Sequence, residues 1–487
     1  MVVSNVKNKI HGALPEKVLQ IGEGNFLRAF ADWMIDHANT TGIFGGSVVL
    51  CQPIKSGIAD MINSQNGVYT LLMRGIKNGE ILKKAEVVTS VSRCINPYKD
   101  FDALIEIAKS PDLKVIISNT TEAGIAYNEK DSPLDMPPSS FPAKMTVILY
   151  ERYKKFKNNK GKGLLILPVE LIDRNGDNLK KCVMRYAKQW GLGKDFKNWL
   201  TEENYFANTL VDRIVTGYPR EEIEAISEEL GYQDNILVTS ELFHLWVIEA
   251  PKKWSSVLPL DKAGLNVIWT DDVNPYRTRK VRILNGTHTI SVLAAYLAGY
   301  DIVTEMMNDE IFVKYLRTYI WKEVIPTIPL PEKDMNDFAN GVIERFSNPF
   351  IRHRLLDISL NSVSKFKSRC LPPLFDYIEK YNKLPSVLLF GFAALIAFYK
   401  GVWIDGKYIG SCADRSYEIR DDIDILRFFE NEWKKPDTVV KNTLMNEDLW
   451  GRDLTEIDGL WTTVDKYLHS IVNEGVYKAI IAMLGGI

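Results

Sequence analysis

The sequence predicts an α/β domain followed by a mainly α-helical one, over residues 1–272 and 273–487. Three observations carry this expectation. Through the first half, short apolar runs alternate with helical periodicity, the pattern of a parallel sheet with crossover helices. The first apolar run, 17–21, ends in Gly22-Glu23-Gly24-Asn25 and is followed by an amphipathic segment, 26–38. From residue 274 onward the periodicity becomes long and helical, with few strand-like runs.

With 487 residues the chain has ample length for two or three cores. A formal net charge of -2 gives no polyanion-binding signature, so nucleic acid is not an expected partner. The cysteines (Cys51, Cys94, Cys182, Cys370, Cys412) are dispersed and form no CxxC pair. That spacing points to a reducing compartment and to no metal site. Residues 1–12 carry charges and no apolar h-region, so no signal peptide is expected. The most apolar run, 387–399, falls short of the roughly 18–20 residues that cross a bilayer. A cytoplasmic protein with no membrane partner is the expectation.

Taken in order, 17–21 reads as a strand, 22–25 as a turn, 26–38 as a helix and 47–51 as a second strand. Glycines there permit a tight turn and close backbone approach, and the helix N-terminus offers free N–H groups to a phosphate. The third glycine of G-x-G-x-x-G is missing, because Leu27 stands in its place. Gln52-Pro53 occupies the end of the second strand, where an acidic residue would select NAD over NADP, and Asp60 lies too far along. That position therefore leaves the two dinucleotides undecided. Strand-like runs 69–74 and 86–92, a helix 98–109 and a buried strand 114–118 come next. The last runs into a small polar cluster, 119–124 (NTTEAG), which suits either ligand contact or the capping of a following helix. A proline-rich loop or lid spans 128–142; helix 144–157 and strand 164–168 continue the alternation. Asp212 and Arg213 read as a structural ion pair, and 238–250 and 265–269 as further strands.

In the second half, helices are expected at 275–298, 309–324, 333–345, 353–360, 362–367, 371–380, 386–400 and 463–484. Segment 401–436 is charged and reads as an irregular surface insertion. The first helix has Asn274 as N-cap, Pro275 at its first position and Gly299 as its stop. At roughly 100° per residue, Asn285 lies about 140° round the axis from Lys280, with His288 about 80° round between them. An amine, an amide and an imidazole on one broad arc can hold an oxygen and move its proton. His288 alone reads as a core histidine, and Lys280 alone as a surface charge. Gly286 in mid-helix costs about 1 kcal/mol against alanine, so something approaches that face closely, a second helix or a substrate. No GxSxG, HExxH or Walker sequence is present, and the other histidines (His11, His37, His244, His353, His469) form no metal-spaced pair.

Three stretches occur in a specific order: 21–30 (IGEGNFLRAF), 118–124 (SNTTEAG) and Lys280-x4-Asn285-x2-His288. With 209–219 (TLVDRIVTGYP), 345–351 (RFSNPFI) and 393–399 (AALIAFY), they resemble the polyol-specific long-chain dehydrogenases, the mannitol dehydrogenase family, over essentially the whole chain. The resemblance implies a Rossmann-type N-terminal domain, a helical substrate-binding domain and metal-independent hydride transfer with NAD (NADH). It implies Lys280 as the acid/base, with Asn285 and His288 on the substrate oxygen. Ile21, Gly22, Gly24, Asn25 and Phe26, with Asn119, Thr120 and Glu122, are the implied dinucleotide-binding residues. A sugar-acid branch of the family is the best match, so the expected partner is a small keto-hexonate. Its carboxylate needs a cation, for which Lys365 and Arg352 are the candidates, with Lys367 and Arg369 nearby. Mannitol dehydrogenases carry a further Asn where Leu171 stands here. Neighbouring readings are a fructuronate reductase or a dehydrogenase of mannitol or another polyol. A reading from a different class is a non-catalytic nucleotide-binding regulator, which would not need an intact Lys280, Asn285 and His288. A monomer or small homo-oligomer is expected.

Overall fold

The computed structural model describes residues 14–121, 123–157, 159, 161–412 and 415–485. The chain forms two compact units that part between Val273 and Asn274, with the hairpin-tip residues 76–79 grouped with the second. The N-terminal stretch weighed above for a signal peptide lies outside the described residues.

In the first unit, β1 (Glu16–Ile21) and β2 (Ser47–Cys51) are followed by a hairpin, β3 (Tyr69–Lys77) and β4 (Glu80–Val88). Then come β5 (Val91–Ile95), β6 (Val115–Ser118), β7 (Leu165–Pro168) and β8 (Tyr205–Phe206). Six of these strands form one sheet in the order β5-β2-β1-β6-β7-β8. All of its pairings are parallel. Such a sheet is covered on both faces, which is why its strands are nearly continuous apolar runs. Alternate residues divide between two cores. Val18, Val48, Leu50, Val115 and Ile117 face one, with Leu27, Phe30 and Met34 of the first helix. Leu19, Ile21, Val49, Cys51 and Ile116 face the other, with Leu104, Ile107, Met145 and Ile148 of the crossover helices. Strand order reverses between β1 and β6, and a doubly wound sheet binds its ligand beyond the C-terminal ends of the strands at that point.

The rest of this unit holds β9 (Asn208–Asp212), β10 (Val215–Gly217), β11 (Val238–Ser240), β12 (Leu245–Glu249) and β13 (Val267–Thr270). They make two small sheets, β10-β11-β3-β4 and β13-β12-β9. The apolar run 238–250 is thus two strands in different sheets. Arg213 is held by backbone carbonyls. Its buried guanidinium donates to the carbonyls of Ala29 (2.6 Å) and Glu241 (3.0 Å), tying the small sheets to the first helix.

The second unit is mainly helical. Ser386–Phe398 is buried almost all round, as expected of a central helix, and packs against Gly286–Leu297 and Leu460–Glu474. The predicted helix 463–484 is in fact two, Leu460–Glu474 and Val476–Gly485, because Gly475 takes φ 83° between them. Segment 401–436 is not irregular. It contains an antiparallel sheet, β14 (Gly401–Ile404), β15 (Lys407–Cys412) and β16 (Arg415–Glu418), and a helix, Ile423–Glu432. Buried Tyr408 and Tyr417 anchor that sheet, the latter against Phe398 and Tyr296. Charges on its other face hid the alternation. Among the described residues no helix is long and apolar enough to cross a membrane.

Candidate active site

In the first unit, the two polar stretches singled out in the sequence meet at the switch point. Ile21 pairs with Ser118 across β1 and β6, so Gly22 and Asn119 leave the sheet side by side. Gly22 has φ +123°, and a Cβ there would lie 2.8 Å from the Asn119 carbonyl oxygen. Only glycine fits that turn. Leu27, at the position of the absent third glycine, is buried beside Gly22 and fills the helix–strand contact. Gly24 is different. No atom lies within 4 Å of where its Cβ would be, and no side chain caps the helix that starts at Asn25. An open backbone at an uncapped helix N-terminus fits a pyrophosphate. Asn25 is exposed at the first turn and its Oδ1 accepts from Arg28 Nη2 (2.7 Å). Phe26 is half-buried and stacks on Phe30. Ile21 is 1% exposed, so only its backbone reaches the turn.

Gln52 does not face the ribose side as a free group. Buried at 2% exposure, its Nε2 donates to the carbonyls of Ile54 (2.8 Å) and Lys55 (3.0 Å), and its Oε1 accepts from Ala59 N. Its role is to fold the loop after β2. Lys55, Asn96, Tyr98, Lys99, Met136, Pro137 and Ser139 line a cavity of about 670 Å³ beyond β2 and β5. The proline-rich loop that closes one side is held by Asp131, which accepts from Ser139 N, Ser139 Oγ, Ser140 N and Tyr186 Oη.

Thr120 caps no helix: among the described residues the next one is Phe141–Phe156. Its N–H and Oγ1 both donate to Glu170 Oε1 (3.1 Å each), and Ser118 Oγ donates to Glu170 Oε2 (3.1 Å). Buried Glu170, its carboxyl raised above the usual range by desolvation, therefore joins the loops after β6 and β7. Glu122 lies outside the described residues. Leu171 is 64% exposed and brings no donor. Nearby Asn175 is no substitute, because both ends of its amide are bonded to Glu170, Thr209 and Gly176.

In the second unit, the helix carrying Lys280 is not a regular α-helix. It runs as α-helix Asn274–Arg279, π-helix Lys280–Asn285 and α-helix Gly286–Leu297. Gly286 N–H donates to the Val281 carbonyl five residues back. A π turn advances less per residue than an α turn and marks functional sites more often than chance. The wide angle between Lys280 and Asn285 expected from α geometry is therefore too large: the π turn draws residues five apart toward one face. The close approach implied by Gly286 is made by a second helical segment, since a Cβ there would lie 2.2 Å from Tyr319 Oη. The Asn285 carboxamide has no hydrogen-bond partner among the described residues.

His288 sits in an aromatic and cationic surround. Its ring stacks on Phe346 (centroids 4.1 Å, planes 7° apart) and meets His353 edge-on at 5.4 Å. Burial holds its pKa well below the ordinary histidine value, with His353, Arg345, Arg369 and Lys365 adding to the depression. At neutral pH the ring is uncharged and can donate from one nitrogen. Lys365, half-buried, donates to the Ile358 carbonyl (2.9 Å), and Arg369 to Thr289 Oγ1 (3.3 Å). Burial, then the neighbouring Arg369, lowers the Lys365 pKa. Arg352 is exposed; Arg345, not a candidate from the sequence, is buried and adds to the lowering of the His288 pKa. Arg345 begins the quoted 345–351 stretch, and that was the available signal. His353, two residues after that stretch, was not singled out for the site either. Among the described residues no group of three or more His, Cys, Asp or Glu could hold a metal ion.

A glycine turn at the switch point of a parallel sheet is the architecture of a dinucleotide-binding domain, and the similarities that follow make the chain an oxidoreductase acting on CH–OH groups. Residues 16–262 match the mannitol dehydrogenase Rossmann domain and 272–472 the mannitol dehydrogenase C-terminal domain. The chain belongs to the mannitol dehydrogenase family. It is 44% identical to an altronate oxidoreductase of Yersinia enterocolitica, over 96% of this chain and 97% of that one. A second altronate oxidoreductase, from Halalkalibacterium halodurans, is 42% identical over 97% and 94%. The fold is that of Pseudomonas fluorescens mannitol 2-dehydrogenase, solved with NAD and D-mannitol (TM-score 0.68, 23% identity, 97% and 95% of the two chains). It is also that of a substrate-free D-sorbitol dehydrogenase (TM-score 0.78, 22% identity, 96% and 95%).

Proposed function

We propose that this protein is an altronate oxidoreductase, catalysing the reversible NAD-dependent reduction of D-tagaturonate to D-altronate in hexuronate catabolism. The observation that carries the choice of an acid over an uncharged polyol is the near-full-length similarity to altronate oxidoreductases; the cations Arg345, Lys365 and Arg369, which lower the His288 pKa, supply positive charge that supports it. A carboxylate offsets that positive charge, and a polyol does not. The names of the similar relatives agree with this substrate.

When bound, NADH supplies the hydride that adds to the ketone carbon. Backbone N–H groups at the Gly24–Asn25 turn would hold the pyrophosphate, with Gly22 permitting the tight turn that this requires. Lys280, as ammonium, gives its proton to the forming alkoxide; in the reverse direction the neutral amine takes the hydroxyl proton. The ketone thus gains one hydride and one proton, and solvent restores the lysine. Asn285 donates its free amide to the same oxygen, and His288 adds a ring N–H. With Leu171 in place of the second asparagine, these two carry oxygen binding. Lys365 and Arg369 hold the carboxylate, with Arg345 contributing charge. Replacing Lys280 by alanine should cut turnover at least about a hundredfold while NADH fluorescence still reports binding. Near-normal turnover in that variant contradicts the assignment.

A further inference from the structure

The π turn at Lys280–Asn285 needs a physical cause. An α-helical carbonyl accepts from the N–H four residues on; a π turn moves that bond to the fifth residue and disturbs the ladder on either side. Such turns persist where a side chain inserts into the ladder. Here the inserted group is identifiable. Tyr319, fully buried, donates its hydroxyl to the Arg282 carbonyl (3.0 Å) in the middle of the π turn. The next carbonyl, Ile283, accepts the Thr287 hydroxyl. The Tyr319 hydroxyl reaches this place only because residue 286 is glycine. The outer side of the turn is tied down separately: the Arg282 guanidinium pairs with Asp376 (2.6 Å) and donates to Thr327.

The first unit repeats the device. Its first helix contains a π turn, Arg28–Asp32, and there buried Tyr69 donates its hydroxyl to the Arg28 carbonyl (2.6 Å). At these two π turns a tyrosine from another element meets a carbonyl of the turn; a third π turn, Thr318–Val324, carries Tyr319 itself. The Tyr319 hydroxyl is committed to the Arg282 carbonyl, and burial, which raises its phenol pKa, keeps it protonated.

We infer that Tyr319 is a positioning residue for the proposed reaction. Its hydroxyl, seated over Gly286 and bonded to Arg282 O, fixes the π turn that brings Lys280 and Asn285 onto the face shared with His288. The inference rests on the reading of Lys280 as acid/base. Without the hydroxyl the turn relaxes toward α geometry, and Lys280 and Asn285 swing apart round the axis.

The test is Tyr319→Phe, which keeps the ring and deletes the hydroxyl, with Gly286→Ala as the second variant, whose methyl displaces it. Both should melt as cooperative folded proteins and bind NADH as the parent does. Both should lose about tenfold to a hundredfold in kcat for the keto acid, the scale of a misplacement near 1 Å, with KM changed far less. Added to Lys280→Ala, Tyr319→Phe should cause a smaller further loss than it does alone, because one of the two groups it positions is gone. A folded Tyr319→Phe with kcat within about twofold of the parent overturns the inference. So does a Tyr319→Phe loss that is undiminished in the Lys280→Ala background. Full activity in Lys280→Ala alone overturns both the lysine assignment and this role; a large Lys280→Ala loss beside a silent Tyr319→Phe overturns only the latter.

Discussion

Gly22 and Gly24 stand two residues apart in one turn, and the structure assigns them opposite roles that a pair of alanine substitutions separates. At Gly22 the backbone has φ +123°, and an added Cβ would lie 2.8 Å from the Asn119 carbonyl oxygen. Holding a non-glycine residue in so sparsely populated a region costs about 1–3 kcal/mol. Forcing a carbon into a packed contact costs about 1–3 kcal/mol more. For a unit of this size each kcal/mol lowers the melting temperature by about 2–4 °C, so Gly22→Ala should melt about 5–20 °C below the parent. At Gly24, φ is -67° and nothing lies within 4 Å of the added carbon. Gly24→Ala should therefore melt with the parent. Its methyl would instead cover the N–H groups proposed to hold the pyrophosphate. Loss of one hydrogen bond to a charged group is worth about 1.5–3 kcal/mol, which is about tenfold to a hundredfold in the dissociation constant for NADH. Thermal melting by circular dichroism and titration of NADH fluorescence read the two effects independently. Unchanged NADH affinity in a stable Gly24→Ala would refute the placement of the pyrophosphate, and a Gly22→Ala that melts with the parent would refute the steric argument.

The carboxylate assignment predicts that Lys365→Met erodes the preference for altronate over an uncharged polyol, measured as the ratio of kcat/KM values; an unchanged ratio removes Lys365 from the site. Exposed Arg352, by contrast, should tolerate alanine with KM for the keto acid unaltered. Stability should depend on pH through Asp32. Fully buried, with Oδ1 unpartnered, it has its pKa raised by desolvation from 3.8 to about 7. A carboxyl that binds its proton more tightly when folded stabilises the protein fully below the unfolded pKa, and that contribution is lost as pH rises from about 4 through about 7. At 1.36 kcal/mol per unit the loss is on the order of 4 kcal/mol. Asp32→Asn should flatten that part of the denaturation profile; an equally steep fall in the variant rules Asp32 out as its source.

The parallel sheet was legible in the sequence because strands buried on both faces are unbroken apolar runs, as 47–51 and 115–118 are. Segment 401–436 was not legible: its buried Tyr408 and Tyr417 are spaced among charges that belong to the exposed face. At the candidate site, the Lys280, Asn285 and His288 spacing could be read directly, but its angular meaning could not. A π turn has no composition of its own; it depends on Tyr319, 37 residues away from the Arg282 carbonyl it bonds. Gly286 was the one local trace, and its helix-breaking cost did point to a close neighbour. The burial of Arg345 beside exposed Arg352 was likewise beyond sequence, since both are arginines at the ends of one stretch. The polar cluster 119–124 misled in one respect: its Thr-Glu spacing suited a capping box, but Thr120 spends both of its donors on distant Glu170.

The central claim is a keto-acid reductase built on the mannitol dehydrogenase scaffold, and a side-by-side assay tests it most directly. NADH oxidation would be followed with D-tagaturonate, D-fructuronate and D-fructose under one set of conditions. The account predicts the highest kcat/KM for D-tagaturonate and little or no turnover of D-fructose, which has no carboxylate for Lys365 and Arg369. Preferred turnover of D-fructose, or NADH binding with no turnover of any of the three, would contradict it.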